Sequence, residues 1–455
     1  MSFTTVESRW PDVWLAATAR GTTICGDFLA ATALALALQG AGAGGLAVSG
    51  LLLAATLPLV VLAPLAGRLA DRVDSRTLLV TVGLAQAAIC VLLALADHPV
   101  LVVGLVTLLA CGLAVTQPCL AALLPAMVRP DDLPRASAIS QTAVSLGALG
   151  GPVLAGLLVG QFGTRVPLLL DAATYLALVV AGLLLRTRRG GRRIAATPAN
   201  PRVAALGWRL RRDPLMLVMV VSTAVVIAAI GGINVVEVFF IRETLNGSPT
   251  TYGLVSAAWM AGMLPGGWLA ARLANRLTDD AALVRGVLAT LAGCSLMVLF
   301  GAMVPAASLL VPLWLVAGAA NGGENVFANL LTARRVPEAM RARAYASYGA
   351  AVQGGSMAGF LIGGALLTAV PPRPLIAAAG LAGLLVVLVF VPVVARAVRR
   401  PSPHDPGGRQ HQRSAGADAG LATSGRPAEP APEAGDTVGS WLSASHVHGS
   451  GTSSS

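Results

Sequence analysis

The stretch Gly67–Leu79, GRLADRVDSRTLL, connects one long apolar run, at 46–66, to the next, at 77–96. An α-helix of about 20 apolar residues is long enough to cross the hydrocarbon core of a bilayer. Five charged side chains are packed into this connection, where they cannot lie within lipid without a large cost. The stretch is therefore predicted to be a short loop at a membrane surface that joins two transmembrane helices.

The same alternation of apolar runs and short polar breaks extends over most of the 455 residues. Hydrophobic residues make up 55% of the chain and charged residues 12%, against about 25% charged residues in an average soluble domain. This composition excludes a soluble enzyme, a disordered protein and a small disulfide-stapled domain. It predicts an all-α integral membrane protein with twelve transmembrane helices, near 13–38, 46–66, 77–96, 99–122, 138–160, 166–185, 214–240, 252–271, 283–304, 308–331, 346–369 and 374–396.

The arginines indicate how these spans are oriented. All 32 basic residues are arginine, and the formal net charge is +11. With the N-terminus placed in the cytoplasm, 25 arginines fall in cytoplasmic segments and only Arg165, Arg242 and Arg373 fall on the other side. This is the positive-inside pattern of a multi-pass protein of the inner (plasma) membrane with both termini cytoplasmic. The basic charge is thus a topology signal, and no nucleic-acid partner is predicted.

The chain is predicted to consist of two related halves. Gly67–Arg76 aligns with Gly267–Arg276, 200 positions later, with five identities in ten positions. Internal repeats of this kind are typical of transporters that bind substrate between two bundles. The predicted organisation is an N-terminal segment at 1–12, six-helix bundles at 13–185 and 214–397, an Arg-rich linker at 186–213 and a disordered cytoplasmic tail at 398–455.

The stretch at 67–79 resembles the signature loop between spans 2 and 3 of the major facilitator superfamily. Five of its residues match that signature, namely Gly67, Leu69, Asp71, Arg72 and Arg76. Asp74 stands where the family has a second glycine. The resemblance implies a transporter that alternates access by rocking two halves. It also implies a gating latch in which Asp71 faces the positive N-terminal end of span 11.

Two further stretches resemble the drug:proton antiporters of this superfamily. Gly147, Gly151, Pro152 and Gly156 look like the antiporter motif of span 5. The stretch from Arg20 to Asp27, RGTTICGD, resembles span 1 of the type 3 antiporters, which include macrolide-efflux proteins and enterobactin exporters. Span 4 lacks the arginine that other antiporter subgroups use, since residues 99–122 contain no charge.

Charges within apolar spans are the main candidate site residues, because they are costly in lipid. Asp27 lies near the middle of span 1, and Arg20 precedes it by two helical turns, about 10 Å away on almost the same face. Both are predicted to face a central cavity. The hypothesis is that Asp27 carries the coupling proton while Arg20 modulates it. The alternative is a static polar pair that orients span 1.

Span 10 is predicted to present one polar face. Asn321, Asn325 and Asn329 repeat every four residues, and Glu324 lies beside them. These side chains are candidate substrate or proton ligands, with hydrogen bonding between helices as the alternative. Asp171 in span 6 is a weaker candidate. Glu237, near the outer end of span 7, is predicted to be interfacial.

These patterns favour an exporter of a small molecule, a drug, antibiotic, siderophore or secondary metabolite, driven by proton antiport. A metabolite importer or uniporter remains the alternative, followed by a polytopic membrane enzyme or a membrane sensor. Enzyme activity is not predicted, since the short loops carry no cluster of His, Asp and Glu. No cofactor or metal is predicted, because the five cysteines lie in apolar runs without a CxxC pair. The predicted partners are a small-molecule substrate, protons and the lipid bilayer, and the chain is expected to act as a monomer.

Overall fold

The structure is a computed structural model that describes residues 8–96, 98–187, 210, 213–274, 276–277 and 279–398. Within these ranges the side chains of nine residues lie outside the description, namely Pro64, Gly67, Ala70, Asp71, Glu338, Ala339, Ala342, Ala397 and Val398. The predicted tail, beyond its first residue, and most of the predicted Arg-rich linker also fall outside the described residues.

Within the described residues the chain folds into twelve helical rods, numbered so that each corresponds to one predicted span. The first six are α1 (Trp10–Gly40), α2 (Gly45–Val61, continued after a bend by Ala63–Arg72), α3 (Ser75–Leu95), α4 (Pro99–Met127), α5 (Leu133–Phe162) and α6 (Arg165–Leu184). The second six are α7 (Pro214–Gly231, continued by Ile233–Phe239), α8 (Pro249–Ala274), α9 (Asp280–Gly301), α10 (Leu310–Arg335), α11 (Glu338–Leu366) and α12 (Pro372–Val398). The predicted all-α fold of two six-helix bundles is confirmed.

Nine helical segments of the described chain are both long and apolar enough to cross a membrane by themselves. The other rods are α2, whose first piece Gly45–Val61 is short, and α10 and α11. The last two carry polar residues along much of their length, including Glu324 in α10 and Arg341 in α11. Helices that line a cavity can keep such residues, because only part of their surface faces lipid.

The loops at one end of the two bundles carry most of the arginines, and this end is called the Arg-rich end below. It contains the connections α2–α3, α4–α5, α8–α9 and α10–α11. Asp74, which departs from the signature loop, has a local role here: its carboxylate caps α3 by accepting hydrogen bonds from the backbone N–H groups of Arg76 (2.8 Å) and Thr77 (3.4 Å). At the same end of the second half, Arg335 bridges Asp213 (2.9 Å) and Asp280 (3.1 Å), and so ties the ends of α7, α9 and α10 together.

Glycines allow helices within each half to pack with their backbones in contact. A Cβ atom at Gly147 of α5 would collide with the Gly21 carbonyl oxygen of α1. A Cβ atom at Gly355 of α11 would collide with the Ala224 carbonyl oxygen of α7 in the same way. Gly147 and Gly355 are 208 positions apart. The two halves therefore repeat one helix contact at equivalent positions, as expected from a duplication.

The closest helix pair in the second half is α8 against α10. Gly262 and Gly266 of α8 face Gly318 and Gly322 of α10, and each would drive a Cβ atom into a backbone carbonyl of the partner helix. In lipid, where apolar side chains gain little from burial, such close backbone packing is a main source of helix association.

A Gly262→Ala variant is expected to destabilise the second half by about 1–3 kcal/mol, because the added methyl group must push α8 away from the Leu315 carbonyl. The measurement is the temperature at which the buried thiols of Cys90, Cys119 and Cys294 become reactive in detergent. Gly349→Ala in α11 is the matched control, since no atom lies within 4 Å of its added Cβ atom. The control should keep or slightly raise the transition temperature. Equal temperatures for both variants would contradict the close-packing interpretation.

Candidate functional site

A cavity of about 420 Å³ lies between the two halves. Helices α1, α2 and α5 line it from the first half, and α7, α8, α10 and α11 line it from the second. This volume is within the range of about 300–1,000 Å³ that is usual for small-molecule sites.

The two walls of the cavity differ in chemistry. The first half contributes a mostly apolar wall made of Phe28, Ala31, Thr32, Ala35, Val48, Leu52 and Pro152. The second half contributes nearly all the polar groups, which are Asn234, Glu237, Tyr252, Ser256, Asn321, Glu324, Asn325, Tyr348 and Ser356. No arginine lines this cavity among the described residues. The described lining of the cavity therefore combines an apolar wall with a polar wall that carries two carboxylates and no basic side chain.

Glu324 is the more enclosed of the two acids. Its side chain is only 2% exposed, and Oε1 accepts hydrogen bonds from the Tyr348 hydroxyl (2.6 Å) and the Thr223 hydroxyl (3.2 Å). Two residues earlier, Gly322 has no side chain, so α10 can pack directly against the Met263 carbonyl of α8. Both donors are neutral, so the carboxylate has polar partners without a compensating positive charge. A buried acid in this setting is suited to binding and releasing a proton or a cation.

Glu237 is the second cavity acid, and its predicted interfacial position is wrong. The residue is 8% exposed and lines the cavity from the broken helix α7. The break occurs at Gly231–Gly232, and a π-helical turn, Phe240–Thr244, follows the short piece that carries Glu237. The helix break precedes Glu237 by one to two turns, and this acid near the end of an apolar run lines the cavity.

Only part of the polar face predicted for span 10 lines the cavity. Asn321 and Asn325 line the cavity, and the Asn325 side-chain amide donates to the Asn321 carbonyl (2.9 Å). Asn329 lies outside the cavity lining and is exposed, and its backbone carbonyl accepts a hydrogen bond from the Tyr345 hydroxyl (3.2 Å). Trp259 and Met260 of α8 also line the cavity.

The acids of the first half form a separate cluster outside the cavity lining. Asp27 of α1 accepts a hydrogen bond from the buried Tyr175 hydroxyl of α6 (2.5 Å). Asp171, one turn earlier on α6 and fully buried, accepts from the Cys90 thiol (3.2 Å) and the Thr174 hydroxyl (3.2 Å). Asp27 and Asp171 thus place two carboxylates against the same buried stretch of α6, with only hydroxyl and thiol donors among these hydrogen bonds.

Gly26 makes this cluster possible. A Cβ atom at that position would collide with the carboxylate of Asp171 and the hydroxyl of Thr174, so α1 can approach α6 here only through a glycine. The resemblance in span 1 thus falls on residues that contact α5 and α6 rather than the cavity.

Arg20 lies apart from Asp27. Its guanidinium donates to the Ser140 hydroxyl of α5 (3.4 Å), while its buried Nε atom has no hydrogen-bond partner. Among the described residues the structure contains no ion pair between Arg20 and Asp27. The two side chains share a helix face in sequence, but they meet different neighbouring helices.

The signature loop is described only in part. Residues 67–72 form the end of α2, where Arg72 is exposed, and Arg76 lies in the first turn of α3. The side chains of Gly67 and Asp71 lie outside the described residues, so the latch stays a prediction.

The span 5 motif contributes to two contacts. Gly147 and Gly151 pack on α1, and Pro152 reaches the cavity. One turn further along α5, Gly156 packs against Gly253 of α8 in the other half, and the Thr250 hydroxyl donates to the Gly156 carbonyl (3.3 Å).

A symmetric contact joins α11 of the second half to α2 of the first. Gly364 packs against Gly45, and the Ser49 hydroxyl donates to the Phe360 carbonyl (2.6 Å). The pairs Gly156–Gly364 and Gly45–Gly253 are each separated by 208 positions, so one contact is the repeat of the other. Both lie toward the end of the molecule opposite to the Arg-rich end, which is called the glycine-sealed end below.

The cavity lies on the Arg-rich side of these two contacts. Its lining residues Pro152 on α5 and Val352 and Ser356 on α11 all come before Gly156 and Gly364, on helices that begin at the Arg-rich end. The halves are thus held together beyond the cavity, at the glycine-sealed end.

A family model described as transmembrane secretion effector matches residues 8–408 of the chain. No curated protein matches the sequence.

Solved structures of transporters share the fold at low sequence identity. A bacterial homologue of the human lysosomal transporter Spinster, in an inward-facing and unoccupied conformation, is 16% identical with a TM-score of 0.66, and the match covers 88% of this chain and 100% of that one. A bacterial homologue of the iron transporter ferroportin, in an inward-facing state, is 17% identical with a TM-score of 0.66, and the match covers 86% and 100%. The peptide transporter POT in complex with sulfate is 14% identical with a TM-score of 0.67, and the match covers 87% and 96%.

Proposed function

The chain belongs to the transmembrane secretion effector family and is a membrane transporter of the major facilitator type, and from this premise we propose that it exports a small molecule in exchange for protons. The exported class is a drug, antibiotic, siderophore or secondary metabolite. The protein works as a monomer in the plasma membrane, with its Arg-rich end in the cytoplasm. The family does not consist of enzymes, and no catalytic step is involved.

One observation carries this proposal: Glu324 is buried in the cavity between the halves with hydroxyl partners only. A carboxylate in this position is costly to keep ionised unless a cation approaches it. Binding of a proton removes the charge, and release of the proton restores it. If substrate and proton compete for this acid, each turn of the cycle exchanges one for the other.

The repeated contacts at the glycine-sealed end support transport by alternating access. In the present conformation α5 meets α8 and α2 meets α11 beyond the cavity. With the Arg-rich end in the cytoplasm, this arrangement faces inward and is ready to take up substrate from the cell. Separation of the two glycine contacts, with closure at the Arg-rich end, releases the substrate outside.

The signature loop supplies the latch for that second state. We propose that Asp71 at the end of α2 meets the N-terminal end of α11 when the Arg-rich end closes. Arg72 and Arg76 then pair with acids or lipid phosphates at the surface.

The test of export is expression in an efflux-deficient host, scored against a panel of antibiotics, other drugs and siderophores with and without a protonophore. Export predicts lower accumulation of at least one compound, and the protonophore should abolish the difference. A compound that accumulates more in expressing cells would instead support the alternative, an importer or uniporter. No change for any compound would count against drug efflux.

Asp27 remains a second candidate for the coupling proton. Its cluster with Asp171 contains two carboxylates and no basic side chain among their hydrogen-bond partners, so both are unfavourable to ionise together. The Asp27→Asn variant should be compared with wild type in inverted vesicles driven by a pH gradient. Loss of gradient-driven transport would support a role in coupling, whereas full retention would assign coupling to the cavity acid alone.

A further inference from the structure

Glu237 differs from Glu324 in how its carboxylate is satisfied. Glu237 lines the cavity beside Trp314, and its buried Oε1 atom has no hydrogen-bond partner. Glu324, by comparison, has two hydroxyl donors on one oxygen. An unpaired buried carboxylate oxygen is costly, and a structure that keeps one usually has a missing partner.

The surroundings of Glu237 indicate the chemistry of that partner. Tyr252, Trp259 and Trp314 line the same cavity, and aromatic rings with a carboxylate are the usual surroundings of bound organic cations. The opposite wall, formed by residues such as Phe28 and Leu52, is apolar.

We infer that Glu237 and its aromatic neighbours form a subsite for a protonated amine, and that the transported molecule is an apolar compound with an organic ammonium group. The ammonium pairs with the carboxylate of Glu237, which lines the cavity, while the apolar body lies along the wall of α1 and α2. This assignment rests on the proposed export function, because it names the class of molecule that the same cavity takes.

The two cavity acids then have separate roles. Glu324 holds the exchangeable proton through its hydroxyl partners, and Glu237 holds the charged end of the substrate. The two acids also lie on different helices: Glu237 is on the broken helix α7, and Glu324 is on the continuous helix α10.

The test is equilibrium binding to the full chain in lipid nanodiscs without a proton gradient, so that it does not depend on export or coupling. The probe is dansylcadaverine, an apolar fluorophore with a primary ammonium group. Its N-acetyl derivative, which carries no charge, is the control compound. Binding is read from dansyl emission sensitised by tryptophan, with empty nanodiscs as background. We expect wild type to bind the ammonium probe about 10-fold or more tighter than the acetylated probe, as for a hydrogen bond to a charged group.

Glu237→Gln should lose this preference by weakening the ammonium probe alone, and the unchanged affinity for the acetylated probe shows that the cavity is intact. Glu324→Gln should keep the preference. Equal binding of the two probes by wild type, or a preserved preference in Glu237→Gln, would overturn the ammonium subsite. Neither outcome bears on export, which the accumulation panel tests independently.

Discussion

Glu324→Gln is expected to abolish the dependence of transport on a proton gradient and to lower gradient-driven transport by about 100-fold, near the upper range of coupling between two ligands. Glutamine keeps the size of the side chain and can still accept from Tyr348 and Thr223. It cannot exchange a proton, so the link between proton movement and substrate movement is lost. The measurement is transport of a compound identified by the accumulation panel, in proteoliposomes with an imposed pH gradient.

Asp131→Asn is the matched control for this variant. Asp131 is an exposed acid in the α4–α5 connection, outside the cavity lining, so its neutralisation should leave gradient-driven transport unchanged. Counterflow, in which labelled and unlabelled substrate exchange without net proton movement, should persist in Glu324→Gln and shows that the protein is folded. Full gradient-driven transport by Glu324→Gln would rule out this residue as the proton site.

The twelve rods could be predicted because span length and loop charge depend on the bilayer rather than on details of packing. The apolar run at 99–122 corresponds to Pro99–Met127, and the run at 283–304 corresponds to Asp280–Gly301. Most rods extend beyond the apolar runs, because polar residues continue the helix into the headgroup region. Asp74 is one such case, since it begins α3 as a cap.

Glu324 could be recognised as a site residue because its neighbours form a polar stripe within an apolar helix. Asn321 and Asn325 share its cavity, and the spacing of four residues is visible in the sequence. Glu237 lacks such a stripe, and only Asn234, one turn earlier, is a polar neighbour within the same apolar run. The available signal was the pair Gly231–Gly232, which allows the helix to break and turn the acid inward.

The relation between Arg20 and Asp27 shows a limit of helical periodicity. The spacing fixes their direction on α1, but not which neighbouring helix each side chain meets. Asp27 contacts Tyr175 because Gly26 allows α6 to approach α1 closely. Arg20 contacts Ser140 because the glycines at 21 and 147 allow α5 to approach α1 on another side. These close approaches depend on contacts between helices that are far apart in sequence.

Gly253→Leu is expected to open the glycine-sealed end and to stop transport. A side chain at this position would collide with the Pro152 carbonyl and with Gly156 of the other half. Overpacking of this kind costs about 1–3 kcal/mol, enough to change a two-state ratio by about 5- to 150-fold. The collision exists only while α5 and α8 are in contact at the glycine-sealed end. The overpacking therefore destabilises the inward-facing state alone, and the population shifts to the state in which these two helices separate.

This shift can be measured with Ser356→Cys, which places a thiol in the cavity lining. In sealed vesicles of each orientation, an impermeant thiol reagent should reach this cysteine about 10-fold faster from the glycine-sealed side in Gly253→Leu than in the parent. The parent without Ser356→Cys gives the background from the native cysteines. Gly104→Leu is the matched control, because no atom lies within 4 Å of its added Cβ atom and it should label and transport like wild type. Unchanged labelling in Gly253→Leu would mean that the contact between α5 and α8 is not a gate, and that access to the cavity is controlled elsewhere.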